Sequence, residues 1–372
     1  MSPRIGIIGG GLSGLHAAYL LEQRGCDHVL FEARDRLGGR LLSECPPPDG
    51  TRPRDEAFDL GATWVWPHVQ PDLERLIGEL GLSLIPQFES GDVLFEDGRG
   101  SPAQRLGGLD NSPPSMRVSG GMQALVRALR GRLSPGRILE SHRVVALSRV
   151  SRGIEIESIH ASGQALSTIV DRVLMAMPPR LVTSTLRFSP RLPFHLARVW
   201  SNTATWMAPH AKYLAVYERP FWRDTGLSGA ARSRRGPMSE IHDASAPDGS
   251  GALFGFLGID APSRQALRED DLRDLCRNQL VRLFGQQAAS PAAEWIKDWA
   301  RDPLTATPQD QMPASGHGYT SSTGASEGPW HGRLRGVASE WSFEYPGVMA
   351  GAIDAAERGV RAMLEMPSEV VR

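Results

Sequence analysis

Three glycines and an acid carry the first chemistry that this sequence can do. Gly9, Gly11 and Gly14 stand at GxGxxG spacing, with Leu12 and Ser13 between the last two, and Glu32 follows eighteen positions after Gly14. Glycines so spaced permit a tight turn, let backbone approach a pyrophosphate, and allow a helix to pack closely on a strand. The acid can accept hydrogen bonds from an adenosine ribose.

The elements that must position these residues are readable on either side of them. Ile5-Gly6-Ile7-Ile8 is an apolar run suited to a buried parallel strand that stops at Gly9. Gly14, Ala17, Ala18 and Leu21 then fall at helical spacing, Gly25 ends the pattern, and His28-Val29-Leu30-Phe31 delivers Glu32. Strand, turn, helix, strand and acid in this order read as a dinucleotide fold, against the alternative of a glycine-rich turn without a ligand. The helix start would add unpaired N–H groups and positive potential for phosphates. Which dinucleotide binds is open at this point.

At 372 residues the chain can bury a substantial core, as two domains or one large one. The formal net charge of −1 supplies no strong field toward nucleic acid or an anionic membrane. No apolar run reaches about 18 residues, so no transmembrane helix is expected. The chain enters a core strand directly, which leaves no room for a signal peptide. Cys26, Cys45 and Cys276 show no CxxC spacing, so isolated reduced thiols and a cytoplasmic location are expected. No cluster at metal-ligand spacing is present.

After Glu32, Ala33-Arg34-Asp35-Arg36-Leu37 leads to Gly38-Gly39-Arg40. A plain nicotinamide fold does not need this block. It suits a cofactor that never leaves, with backbone N–H groups approaching at the glycines and Arg40 reaching phosphate or ribityl oxygens. These first forty residues resemble those of the flavin-dependent amine oxidases.

The resemblance continues in order along the chain. Gly61-Ala62-Thr63-Trp64 is similar to the segment that runs past the flavin ring, and Gly120-Gly121-Met122 to a helix start. Val144 fits a backbone contact to adenine. Lys212 precedes Pro220-Phe221-Trp222 by the interval at which the family places a lysine that holds a water against the reactive flavin nitrogen. Trp299 is similar to a flavin-flanking tryptophan. Glu340, followed by Gly347-Val348-Met349, is similar to the acid and helix start that close the flavin site. Three departures stand out: Ser339 where glycine is common, Val348 where an aromatic is usual, and no cysteine in Thr305-Ala306-Thr307-Pro308-Gln309 for covalent attachment.

The resemblance implies an α/β fold, with a Rossmann-type FAD-binding domain (1–67, 118–180 and 301–372) and a discontinuous mixed α+β substrate domain (68–117 and 181–300). It implies non-covalent FAD, an amine substrate, oxygen as acceptor, and catalysis by Lys212. Of the family's two flanking aromatic positions, one falls on Val348 and the other near Gln309, so the substrate pocket is expected to draw on Trp66, Gln309 and Tyr345 and to take a bulky, secondary or cyclic amine. A flavin desaturase acting on a C–C bond, or a flavin protein without turnover, would share both terminal blocks.

At the level of elements, the sequence predicts loops over Cys45–Glu56 and Glu96–Ser115 and helices from Pro71, Met122, Asp270 and Gly347. It further predicts short strands over 138–175, a less regular middle, and a strand from Leu334 that ends in Glu340.

Overall fold

The computed structural model describes residues 3–47, 56–98, 100–108, 112–247, 249–312, 316 and 318–366. Its contacts divide the chain into two compact units. Met1–Leu41, Val126–Ala208 and Asp302–Arg372 form the first; Leu42–Leu125 and Pro209–Arg301 form the second.

Five parallel strands make the central sheet of the first unit, in the order Leu334–Gly336, Arg172–Met175, Ile5–Ile8, His28–Phe31 and Ile138–Leu139. Its three middle strands are buried at every position. A continuous apolar run survives in a parallel strand only where both faces are covered. Helices Leu12–Gln23 and Met349–Glu365 pack on each other as one cover. Another is the four-stranded sheet Ala165–Val170, Gly153–His160, His142–Val150 and Arg187–Ser189. Its Leu147, Ile154, Ile156 and Val170 share a core with Val173 and Met175.

The second unit is built on a seven-stranded sheet, ordered Ala293–Asp298, Ala211–Tyr217, Gly251–Leu257, Met238–Asp243, Leu227–Ser233, Asp92–Glu96 and Gln104–Leu106. Alternate residues of each strand point to opposite faces. Tyr213, Ala215, Tyr217, Leu253 and Leu257 meet Leu272, Cys276, Leu280 and Leu283 of helix Glu269–Phe284. On the opposite face Leu214, Val216, Ala252 and Phe254 pack with Phe58 and Leu60. Lys212 belongs to that second face by its spacing from Leu214.

Several expectations change against these elements. The middle is not irregular but supplies most of the seven-stranded sheet. Helices Pro179–Thr185 and Phe194–Asn202 belong to the first unit, because Val182, Leu196 and Trp200 fill the core beneath its sheet. Residues 42–67 fall in the second unit, where Phe58 and Leu60 are packed. The Glu96–Ser115 stretch contains strand Gln104–Leu106, an exposed edge whose residues show no apolar pattern. The strand from Leu334 ends at Gly336, and Glu340 sits instead in a helical turn, Ser339–Trp341. Most of the loop expected over Cys45–Glu56 lies outside the described residues, as do residue 99, residues 109–111 and His317.

No helix among the described residues is long and apolar enough to cross a membrane. No group of three or more histidine, cysteine or acidic side chains among them could hold a metal ion.

Candidate active site

The dinucleotide cradle lies within the first unit. Strand Ile5–Ile8 ends at Gly9, whose φ of +109° favours glycine, and the helix begins at Leu12. A Cβ on Gly14 would stand 1.9 Å from the Gly9 carbonyl oxygen, so the close approach of helix to strand requires glycine there. The helix has no side-chain cap and no acid in its first turn, which leaves the N–H groups of Leu12, Ser13 and Gly14 to an outside acceptor. Ser13 faces inward and donates its hydroxyl to the Val337 carbonyl.

Glu32 is buried at the end of its strand. Its Oε2 accepts from Gly10 N at 2.7 Å and its Oε1 from Arg34 N, beyond Ala33, at 2.8 Å. The Arg34 guanidinium stands 3.6 Å from Glu32 Oε1 and donates to Asp302 Oδ1 at 2.9 Å and Thr305 Oγ1 at 3.1 Å. His142 N donates to Glu32 O, which brings the strand that carries Val144 beside the acid. Gly38 N donates to Gly10 O at 2.8 Å, and Gly11 and Gly38 form a parallel bridge, so the two glycine turns lie together.

Arg40 is held by Glu340, which is 0% exposed: Nη1 donates to Oε1 at 2.8 Å and Nη2 to Oε2 at 3.2 Å. Ser339 Oγ accepts from Arg40 Nη2 and donates to Glu340 Oε2, both at 3.1 Å. Gly347 precedes the terminal helix, which starts at Met349 after an N-cap, Val348, that makes no side-chain cap, and its first turn holds no acid. Two uncapped helix starts, a glycine-lined turn and a buried acid fit FAD: donors for its phosphates and an acceptor for its adenosine ribose. Tyr345 is half-buried in the turn before that helix. Gln309 is exposed, on a turn tied by Thr307 and Asp310.

The second unit holds the lysine. Lys212 is 2% exposed on strand Ala211–Tyr217. Its Nζ donates to Thr63 Oγ1 at 2.6 Å and to the Gly61 carbonyl at 3.3 Å, and lies 3.8 Å from the centre of the Phe254 ring. Phe256 is 5.7 Å away. Burial lowers the lysine from its ordinary range to about 7; Asp59 acts through space against that shift and Arg117 with it. Asp59, itself buried, is raised for the same reason, opposed by the hydroxyl of Ser43.

Gly61 and Ala62 lead into Thr63 and Trp64 along the same face. Trp64 Nε1 donates to Gln87 Oε1 at 2.9 Å, and its ring is 4.8 Å from His242, 5.5 Å from Phe254 and 6.2 Å from both Phe256 and Trp66. Trp299 donates Nε1–H to the Leu60 carbonyl at 3.3 Å, with Lys297 Nζ 4.5 Å from its ring.

Sequence reasoning missed the hydroxyl of Thr63 and the aromatic set Phe254, Phe256 and His242. It also missed that Lys297 faces Lys212 in register across adjacent strands. A signal was available. Among 41 basic residues these two are the only lysines.

Comparison with known proteins identifies the family. The flavin containing amine oxidoreductase family matches residues 102–364, and the NAD(P)-binding Rossmann-like domain matches residues 7–80. A Mycobacterium tuberculosis protein described as a flavin-containing monoamine oxidase is 30% identical, over 94% of this chain and 95% of that one. Putrescine oxidase of Kocuria rosea is 23% identical over 80% of this chain and 82% of its own. The structure of cyclohexylamine oxidase from Brevibacterium oxydans shares the fold, with a TM-score of 0.79 at 18% identity over 98% of this chain and 99% of that one.

Proposed function

The chain belongs to the flavin containing amine oxidoreductase family and is an FAD-dependent oxidoreductase, and we propose that it oxidises an amine with FAD held non-covalently. When bound, FAD supplies a hydride acceptor for the amine α-carbon and a path for the electrons to oxygen, released as hydrogen peroxide. The imine left behind hydrolyses to a carbonyl compound and ammonia or a smaller amine.

In this reading Gly9, Gly11, Leu12, Ser13 and Gly14 offer backbone to the pyrophosphate, and Glu32 accepts from the ribose. Arg34, tied to Asp302, braces the acid and adds no free cation for a 2′-phosphate. Gly38, Gly39, Arg40 and Glu340 hold the ribityl-phosphate portion, and Val144 the adenine. The helix start at Gly347, Val348 and Met349 offsets negative charge on the cofactor's pyrimidine end. Gly61, Ala62, Thr63, Trp64 and Trp299 present backbone and ring surface to the flavin. Three cysteines with no CxxC spacing support a cytoplasmic location.

Lys212 carries the reading. An amine that burial lowers to about 7, placed by two oxygens and an aromatic face, can keep a water and exchange its proton, which a surface lysine would not do at neutral pH. Trp64, Phe254 and Phe256 supply apolar surface around it, while Val348 and the exposed Gln309 supply no aromatic pair. This supports a bulky, secondary or cyclic amine with apolar surface.

The test is anaerobic bleaching of the yellow protein by benzylamine-like, polyamine, amino-acid and cyclic amines, followed by peroxide assay on admitting air. Fastest bleaching by a benzylamine-like compound would defeat the substrate assignment. Bleaching by none of them would move the assignment to a desaturase acting on a C–C bond.

A further inference from the structure

We propose that Thr63 is the positioning residue for Lys212, its hydroxyl fixing Nζ in place and serving as partner to both the charged and the neutral amine. The proposal rests on the amine-oxidase reading only for what the lysine is used for. The hydrogen bond stands without it.

The argument starts from the donors. An ammonium has three N–H groups and no acceptor. Around Lys212 Nζ stand Thr63 Oγ1 at 2.6 Å, the Gly61 carbonyl at 3.3 Å and the face of Phe254 at 3.8 Å. The two oxygens take two of the three. The charged groups on the surrounding elements are Asp59, Arg117, Glu240 with His242, and Lys297 in register; none is a hydrogen-bond partner of Nζ among the described residues. Burial in such a setting favours the neutral amine.

A carbonyl can only accept, so Gly61 favours the ammonium and loses nothing else when the proton leaves. A hydroxyl can do both. Thr63 accepts from the ammonium and, by turning its own hydrogen, donates to the lone pair of the amine. It therefore keeps Nζ at one position while the charge changes. Thr63 is buried, and its β-branched side chain has fewer rotamers than a serine would.

The chain's composition makes the test direct. With [ε-13C]lysine the protein shows two Cε signals, and Lys297→Arg assigns them. The Lys212 signal is followed against pH in the wild type, in Thr63→Val, which removes the hydroxyl at constant volume, and in Thr63→Ser, which keeps it. The midpoint is expected to fall by about one pH unit in Thr63→Val, because the bond to the ammonium is charge-assisted and stronger than the bond to the neutral amine that is lost with it, and to return in Thr63→Ser. The acidic limb of anaerobic flavin reduction is expected to move with it. An unchanged midpoint in Thr63→Val overturns the proposal, as does an equal shift in both variants. If Thr63→Val does not fold by circular dichroism, Thr63→Ala makes the same deletion. A shifted midpoint with no flavin reduction by any amine would uphold Thr63 and defeat the amine-oxidase reading instead.

Discussion

Arg40 and Glu340, 300 positions apart in sequence, form a bidentate pair in which the carboxylate is wholly buried and the guanidinium 28% exposed. The asymmetry decides which partner depends on the other. Without Arg40 the carboxylate retains, among the described residues, only the Ser339 hydroxyl. Without Glu340 the guanidinium retains Ser339, the Trp206 carbonyl and partial access to water.

Arg40→Met is therefore expected to lower unfolding free energy by about 3–5 kcal/mol, the usual result of stranding a buried charge, and Glu340→Gln by less. Urea unfolding of the two variants checks the order. Flavin content, read at 450 nm against protein, is expected to drop in both. A larger loss in Glu340→Gln would mean that the carboxylate does not rely on Arg40.

Replacing Lys212 by Met keeps an apolar stem and removes the amine. Flavin should stay bound while reduction by amine, or reoxidation by oxygen, slows by at least tenfold, about 1.4 kcal/mol of barrier. Stopped-flow measurement of both half-reactions decides. Unchanged rates in each would leave the lysine without a catalytic part.

The same lysine gives the stability a pH dependence of known sign. Its folded value, about 7, lies below the ordinary 10.5, so between these values the unfolded chain binds more protons. Stability therefore rises with pH across that window and is lost as pH falls toward 7. The unfolding free energy of the wild type, measured from pH 7 to 9, should climb relative to Lys212→Met by about 1 kcal/mol per pH unit. Parallel curves would place the amine's titration outside this range.

Acid precipitation should release the flavin into the supernatant at about one FAD per chain. Of the three cysteines, Cys26 and Cys276 are buried and only Cys45 is exposed. Yellow colour retained in the pellet would show a covalent link.

The cradle was legible because its signals are local. A glycine that a Cβ would drive into a carbonyl, and an acid at the end of an apolar run, are properties of a few neighbouring residues. The seven-stranded sheet was not. Gly251–Leu257 is apolar on both faces because both are covered, which removes the alternation that marks a strand. Pro179–Asn202 gave no sign of which core it fills; Trp200 beneath the first unit's sheet settles that only in three dimensions. Lys212 stood out by its interval to Pro220-Phe221-Trp222, yet the hydroxyl that meets it lies 149 positions earlier.

The scarcity of lysine has a consequence for how this molecule reacts with carbonyl compounds. Its basic side chains are arginines apart from two, one of them sealed from solvent. Guanidiniums remain protonated at neutral pH and do not condense with simple aldehydes, whereas free primary amines do. An aldehyde liberated at this protein would thus meet a surface nearly devoid of side-chain nucleophiles that could form Schiff bases. Among its side chains, reductive alkylation and fixation with monofunctional aldehydes will act mainly through Lys297.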